Sequence, residues 1–170
     1  MGFLGFGRIA QATLTRLVSF GITHCIYASN PSSPRDHGLE ATLVARHALR
    51  SIQRVRLDEL ARESDVLFVL APGGDETQHV VNAGFLRMMK KHAVLVNASR
   101  STLVDSDGLA LALREQWIWR AGLDVVNGEP HVAADQPFVK EPSCATSLFF
   151  PSRRRKRKSA KTPWYTPVDV

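Results

Sequence analysis

Gly5-Phe6-Gly7-Arg8-Ile9-Ala10 sets two glycines and a third small residue between a short apolar run and a helical pattern. That order suits a diphosphate. Gly5 makes the tight turn, Gly7 lets the backbone approach the ligand, and Ala10 allows the helix to close on the strand. The amides of Arg8 and Ile9, at the start of the helix, then face the phosphate oxygens. A second position tests the idea. Ser29 stands 22 residues after Gly7, about where an acid would hold the adenosine ribose hydroxyls of NAD. The chain has Ser29 and Asn30 there, with Arg35 a little later, and no carboxylate to repel a 2′-phosphate. Two donors and a guanidinium favour NADP over NAD. The competing reading is a plain turn, since Asn30-Pro31 is a turn signal.

These residues need a scaffold, and the pattern around them supplies one. Residues 2–5, 24–28, 66–70, 93–97 and 121–126 are compact apolar runs without alternation, as strands buried on both faces of a parallel sheet read. Residues 9–20, 57–62, 83–90 and 106–116 space their apolar side chains at helical intervals. Asp105 or Ser106 caps the last of these. Strands alternating with helices imply right-handed crossovers and a doubly wound, mostly parallel α/β sheet. Residues 29–38 read as a polar loop, and no internal repeat is visible.

The chain has 170 residues, enough for one domain with a single core. With 44% hydrophobic and 22% charged residues it is too apolar for general disorder. The longest apolar run, from Val66 to Pro72, is far shorter than the roughly 20 residues a bilayer span needs, so a membrane helix is excluded. The net charge of +6 is local: seven basic residues and one acid follow Pro151, and the remainder is neutral. Cys25 and Cys144 are isolated thiols, which suggests neither a zinc site nor a disulfide framework. No secretory leader is readable at the start, so the expected setting is reducing and cytoplasmic.

Four stretches together resemble the D-isomer-specific 2-hydroxyacid dehydrogenases, nearest to the glyoxylate/hydroxypyruvate reductases. The first is the glycine loop at 5–10. The second is Pro72-Gly73-Gly74-Asp75-Glu76-Thr77-Gln78-His79-Val80-Val81-Asn82, similar to the family loop that passes over the cofactor. The third is Val96-Asn97-Ala98-Ser99-Arg100-Ser101-Thr102-Leu103-Val104-Asp105, and the fourth Ala121-Gly122-Leu123-Asp124-Val125-Val126-Asn127-Gly128-Glu129-Pro130. They occur in the family's order. The resemblance implies a Rossmann NAD(P)-binding domain over residues 1–142, and in relatives of this kind usually a homodimer. It implies hydride transfer between NAD(P)H and a small 2-oxo acid such as glyoxylate or hydroxypyruvate.

The resemblance also assigns roles. Arg100 corresponds to the arginine that grips the substrate carboxylate, a bidentate task suited to a guanidinium. Glu129 corresponds to the acid that orients a catalytic histidine and raises its pKa. Asp124 would meet the nicotinamide carboxamide, Ala98, Ser99 and Arg100 would line the nicotinamide ribose, and Ala71, Pro72 and Thr77 would flank the dinucleotide. His79 reads as packing, and His24, His37, His47 and His92 as structural.

One family element is missing. The proton-donating histidine should follow Glu129, yet no histidine occurs after His131. The family's substrate domain, which the chain enters before the phosphate loop, is also not represented. From about residue 143 the pattern changes to a basic segment, Arg153-Arg154-Arg155-Lys156-Arg157-Lys158, expected to be a solvated, disordered tail. Turnover by this chain is therefore doubtful on sequence grounds. The alternative expectation is a non-catalytic binding module that presents residues 153–158 to an anionic partner or a nuclear importer. Direct nucleic-acid reading is disfavoured, because the run carries no groove-reading element.

Overall fold

The computed structural model describes residues 1–126 and the two-residue strand Leu148–Phe149. Among these residues seven strands form one sheet: β1 Gly2–Leu4, β2 His24–Ala28, β3 Ser51–Arg54, β4 Val66–Val69, β5 Val94–Asn97, β6 Arg120–Leu123 and β7 Leu148–Phe149. Their order is β3-β2-β1-β4-β5-β6-β7, and every pairing is parallel. Among the described residues, five α-helices connect β1 through β6: α1 Arg8–Leu17, α2 His37–His47, α3 Leu57–Glu63, α4 Ala83–Met88 and α5 Ser106–Arg114. The chain first winds outward from β1 to β3, then returns through α3 to β4 on the other flank of β1. The order reverses between β1 and β4, where open parallel sheets bind ligands beyond their strand ends.

Successive strand residues serve opposite faces. Phe3, Cys25 and Tyr27 pack with Ala10 and Leu14 of α1 and Leu43 of α2. Leu4, Ala28, Leu67, Val69 and Leu95 pack with Leu60 of α3, Phe85 and Leu86 of α4, and Leu109 of α5. The sheet thus has a core on each side, which is why β1, β4 and β5 read as unbroken apolar runs. The doubly wound α/β expectation is met.

Two elements were not legible. In β3 only Ile52 is buried, and Ser51, Gln53 and Arg54 give an edge strand too little apolar signal. In α2 the buried residues are Glu40 and Leu43, so no apolar stripe announces the helix. Helix α1 is shorter than its pattern suggested. It stops at Leu17, and a 3₁₀ turn over Val18–Phe20 ends at Gly21 with φ +84°. Asp105 is the cap of α5, accepting from the Asp107 amide at 3.2 Å. Leu148 and Phe149 fall beyond residue 142, where sequence suggested the tail begins; their backbone pairs with Ala121 and Gly122 at the edge of the sheet. The basic run 153–158 lies outside the described residues.

Candidate functional site

Gly5 directly follows β1 at the point where the strand order reverses. Its amide donates to the Ala28 carbonyl at 2.8 Å, and its φ of +87° is a left-handed value that side chains disfavour. A Cβ there would lie 2.6 Å from the Ala71 Cα and 2.7 Å from the Ala71 nitrogen, so only glycine fits against the end of β4. Gly7 differs: it caps α1 with φ −78°, and a Cβ on it would meet nothing within 4 Å. Its glycine is not needed for packing, and the space beside it is open.

The start of α1 is prepared for an anion. No side chain caps it and no acid occupies its first turn. The Gly7 carbonyl accepts from the Gln11 amide at 3.1 Å, which leaves the Arg8 and Ile9 amides without helical acceptors. Arg8 and Ile9 are exposed, whereas Ala10 is buried against the sheet. Donors, dipole and free space coincide here, and these residues fit a diphosphate. Phe6 anchors the loop by stacking on Tyr27, with ring centroids 4.3 Å apart and planes at 17°.

The loop after β2 is tied down by two guanidinium groups. Asn30 Oδ1 accepts from the Ser32 amide at 2.9 Å, making the expected turn, and Ser29 is half-buried beside it. Arg54 donates to the Asn30 carbonyl at 2.6 Å and to the Ser33 carbonyl at 2.8 Å. Arg35 does stand at the loop's end, yet its charge is paired. Its Nε lies 2.9 Å and its Nη2 2.9 Å from the two oxygens of Glu40. The buried Glu40 also accepts from the Tyr27 hydroxyl at 2.6 Å. Burial alone would raise the Glu40 pKa, but its bonds to Arg35 and Tyr27 outweigh burial and hold it below the ordinary carboxylate value. Sequence reasoning missed Tyr27, Glu40 and Arg54. The sequence carries no signal for this pair, because α2 lacks the apolar stripe that would announce it as a helix.

A second row of bonds joins the ends of β4, β5 and β6. Asn97 is buried; its Nδ2 donates to the Arg100 carbonyl at 3.0 Å, and its Oδ1 accepts from the Ser99 amide at 3.2 Å. Ser99 Oγ donates to the Ala71 carbonyl at 2.6 Å, and the Asp124 amide donates to the Asn97 carbonyl at 2.9 Å. These bonds bring Ala71, Ser99, Arg100 and Asp124 together, with the buried Asn97 between them. Ala98 and Arg100 are exposed at this rim. The Arg100 stem rests on Gly73, where a Cβ would come within 2.9 Å of Arg100 Cγ.

Thr77 Oγ1 donates back to the Pro72 and Gly74 carbonyls, each at 3.1 Å, so it shapes its own loop. His79 corrects an expectation: it is exposed with φ +50°, not packed, and its amide bonds the Thr102 carbonyl at 2.8 Å. Glu129 lies outside the described residues. Among the described residues, no group of His, Cys, Asp and Glu could hold a metal ion, and no helix is long and apolar enough to cross a membrane.

The model of the family "D-isomer specific 2-hydroxyacid dehydrogenase, NAD binding domain" matches residues 1–148. A glyoxylate reductase of Thermococcus onnurineus is 40% identical over 131 residues, which is 77% of this chain and 36% of the relative. Among solved structures, the apo D-mandelate dehydrogenase of Rhodotorula graminis superposes with a TM-score of 0.70 at 28% identity, covering 88% of this chain and 39% of that one. An NADPH-dependent glyoxylate/hydroxypyruvate reductase of Sinorhizobium meliloti, in complex with NADP and malonate, gives 0.68 at 32% identity, covering 87% and 41%. The chain thus spans well under half the length of the relatives it matches.

Proposed function

Because the chain belongs to the D-isomer specific 2-hydroxyacid dehydrogenases, of which it carries the NAD-binding domain, we propose that it binds NADP in preference to NAD for reduction of a small 2-oxo acid. Glyoxylate and hydroxypyruvate are the substrates this reading favours. The observation that carries it is the paired glycine geometry at the switch point. Gly5 is forced by contact with Ala71, while Gly7 is free of any packing reason and faces open space.

The diphosphate sits on the Arg8 and Ile9 amides, within the field of the α1 N-terminus. Ser29, Asn30 and Arg35 receive the adenosine ribose and its 2′-phosphate. Pairing with Glu40 uses only part of the Arg35 fork, and a guanidinium has N–H groups to spare for a phosphate oxygen. Ala71, Pro72, Thr77, Ala98 and Ser99 flank the nicotinamide half, and Asp124 accepts from the carboxamide. When bound, the nicotinamide supplies the hydride.

Arg100 grips the carboxylate of the 2-oxo acid and polarises its carbonyl. It is exposed at the rim, held by the Asn97 bond to its own carbonyl and by the Gly73 contact along its stem. Glu129 serves as the acid that orients the proton donor. No histidine follows His131 to supply that donor, so the 170-residue chain is expected to bind cofactor far better than it turns over. Calorimetric titration with NADPH and NADH tests the reading. Tighter binding of NADPH is expected, and absence of binding by either dinucleotide would overturn it.

A further inference from the structure

Tyr27, Glu40 and Arg35 form a continuous chain of contacts that the diphosphate loop itself begins. Phe6 of that loop stacks on the Tyr27 ring. The Tyr27 hydroxyl donates to Glu40 Oε1, and the same carboxylate takes Arg35 through both of its oxygens. The pair is layered: the Glu40 side chain is 9% exposed and the Arg35 side chain 36%, so an arriving ligand meets the guanidinium first. His37 is the other basic side chain near the carboxylate, its Nδ1 3.8 Å from Oε2 and well exposed.

We propose that Glu40 and Tyr27 are positioning residues for cofactor choice, fixing Arg35 so that its free edge is presented to a 2′-phosphate at the end of β2. This rests on the reading that residues 29–35 receive the adenosine ribose. An arginine on a polar surface loop samples many rotamers, and ordering it on ligand binding offsets much of what a phosphate contact contributes. Glu40 removes that cost beforehand. The carboxylate is buried and doubly bonded, so its own position is set by Tyr27 and by α2, whose N-cap Asp36 accepts from the Leu39 amide at 2.8 Å. A direct charge-assisted bond to the phosphate outweighs the carboxylate's repulsion, which acts from behind the guanidinium over a longer, partly screened path.

The test compares affinities of NADPH and NADH, and of 2′,5′-ADP and 5′-AMP, for the wild-type chain and for Glu40→Gln and Tyr27→Phe. In Glu40→Gln the NADPH-to-NADH affinity ratio should fall about tenfold, and in Tyr27→Phe about two- to threefold. The adenosine fragments should follow the same order, since they report the ribose end alone. Loss of affinity for both dinucleotides in equal proportion, with the ratio kept, marks a purely structural role and overturns the proposal. A ratio that rises also overturns it, because the unpaired guanidinium then attracts phosphate better than the clamped one. Tyr27→Phe keeps the ring stacked on Phe6, so it remains informative if Glu40→Gln does not fold. Should the wild type prefer NADPH while both variants keep its ratio, this inference fails and the cofactor reading survives; if the wild type binds neither dinucleotide, both fall.

Discussion

The Cα of Ala71 lies 2.6 Å from where a Cβ on Gly5 would stand. Two strand ends, β1 and β4, meet there with no room between their backbones, and the glycine loop leaves from that contact. The clash is with main chain, which no side-chain rotation relieves.

Gly5→Ala should therefore destabilise the fold by about 2–4 kcal/mol, from the left-handed φ together with the backbone overlap. Gly7→Ala has neither penalty, and its stability should fall by no more than about 1 kcal/mol, the cost of alanine at a helix N-cap. Its dinucleotide affinity should nonetheless drop, because the added methyl enters the open space in front of α1. Urea unfolding and cofactor titration of the two variants separate the roles.

NADPH should raise the unfolding temperature by mass action, since it binds only the folded chain. At about 100 times its Kd the added stability is about 2.7 kcal/mol, and NADH at equal concentration should give less. A thermal scan across a concentration series reads both.

Asn97→Ala removes a buried side chain bonded at both ends, leaving the Ser99 amide and the Arg100 carbonyl without that partner. A loss of about 1–3 kcal/mol is expected, with weaker cofactor binding because residues 98–100 lose their brace. Hydrogen exchange at the Ser99 amide should speed up.

Alkaline pH should weaken the protein. Burial, and after it the bond to Glu40, push the Tyr27 hydroxyl from 10.0 up to about 12, and burial pushes the Cys25 thiol from 9.0 up to about 12. Both values are raised, so the folded chain keeps protons that the unfolded chain releases. Their contribution is complete below pH 9.0 and disappears as pH climbs through the raised values. Denaturant midpoints measured from about pH 8 to about pH 11 should fall, and less steeply above pH 10 in Tyr27→Phe.

Turnover should separate from binding. With glyoxylate or hydroxypyruvate, NADPH oxidation by the 170-residue chain should be near background, consistent with the 10²–10⁴-fold that a general acid contributes. Robust turnover would show that a group other than a histidine beyond His131 donates the proton.

Much was determined along the chain alone. Parallel strands covered on both faces must be apolar throughout, and β1, β4 and β5 announce themselves that way. The glycine loop is local too, since turn, backbone approach and helix start fall within six consecutive residues. So is the asymmetry of charge, because a basic run is legible without any fold. What tertiary structure decided is contact between elements. Ser51–Arg54 becomes a strand because β2 offers it an edge, and His37–His47 becomes a helix around a buried carboxylate rather than an apolar stripe. Tyr27, Glu40 and Arg35 meet only after α2 packs beside β2, and Asn97 becomes a brace only when Ser99, Arg100 and Asp124 gather at the same strand ends. Periodicity records which side of an element faces inward. It does not record which polar group waits there, because a hydrogen bond depends on distance and direction that only the assembled sheet supplies.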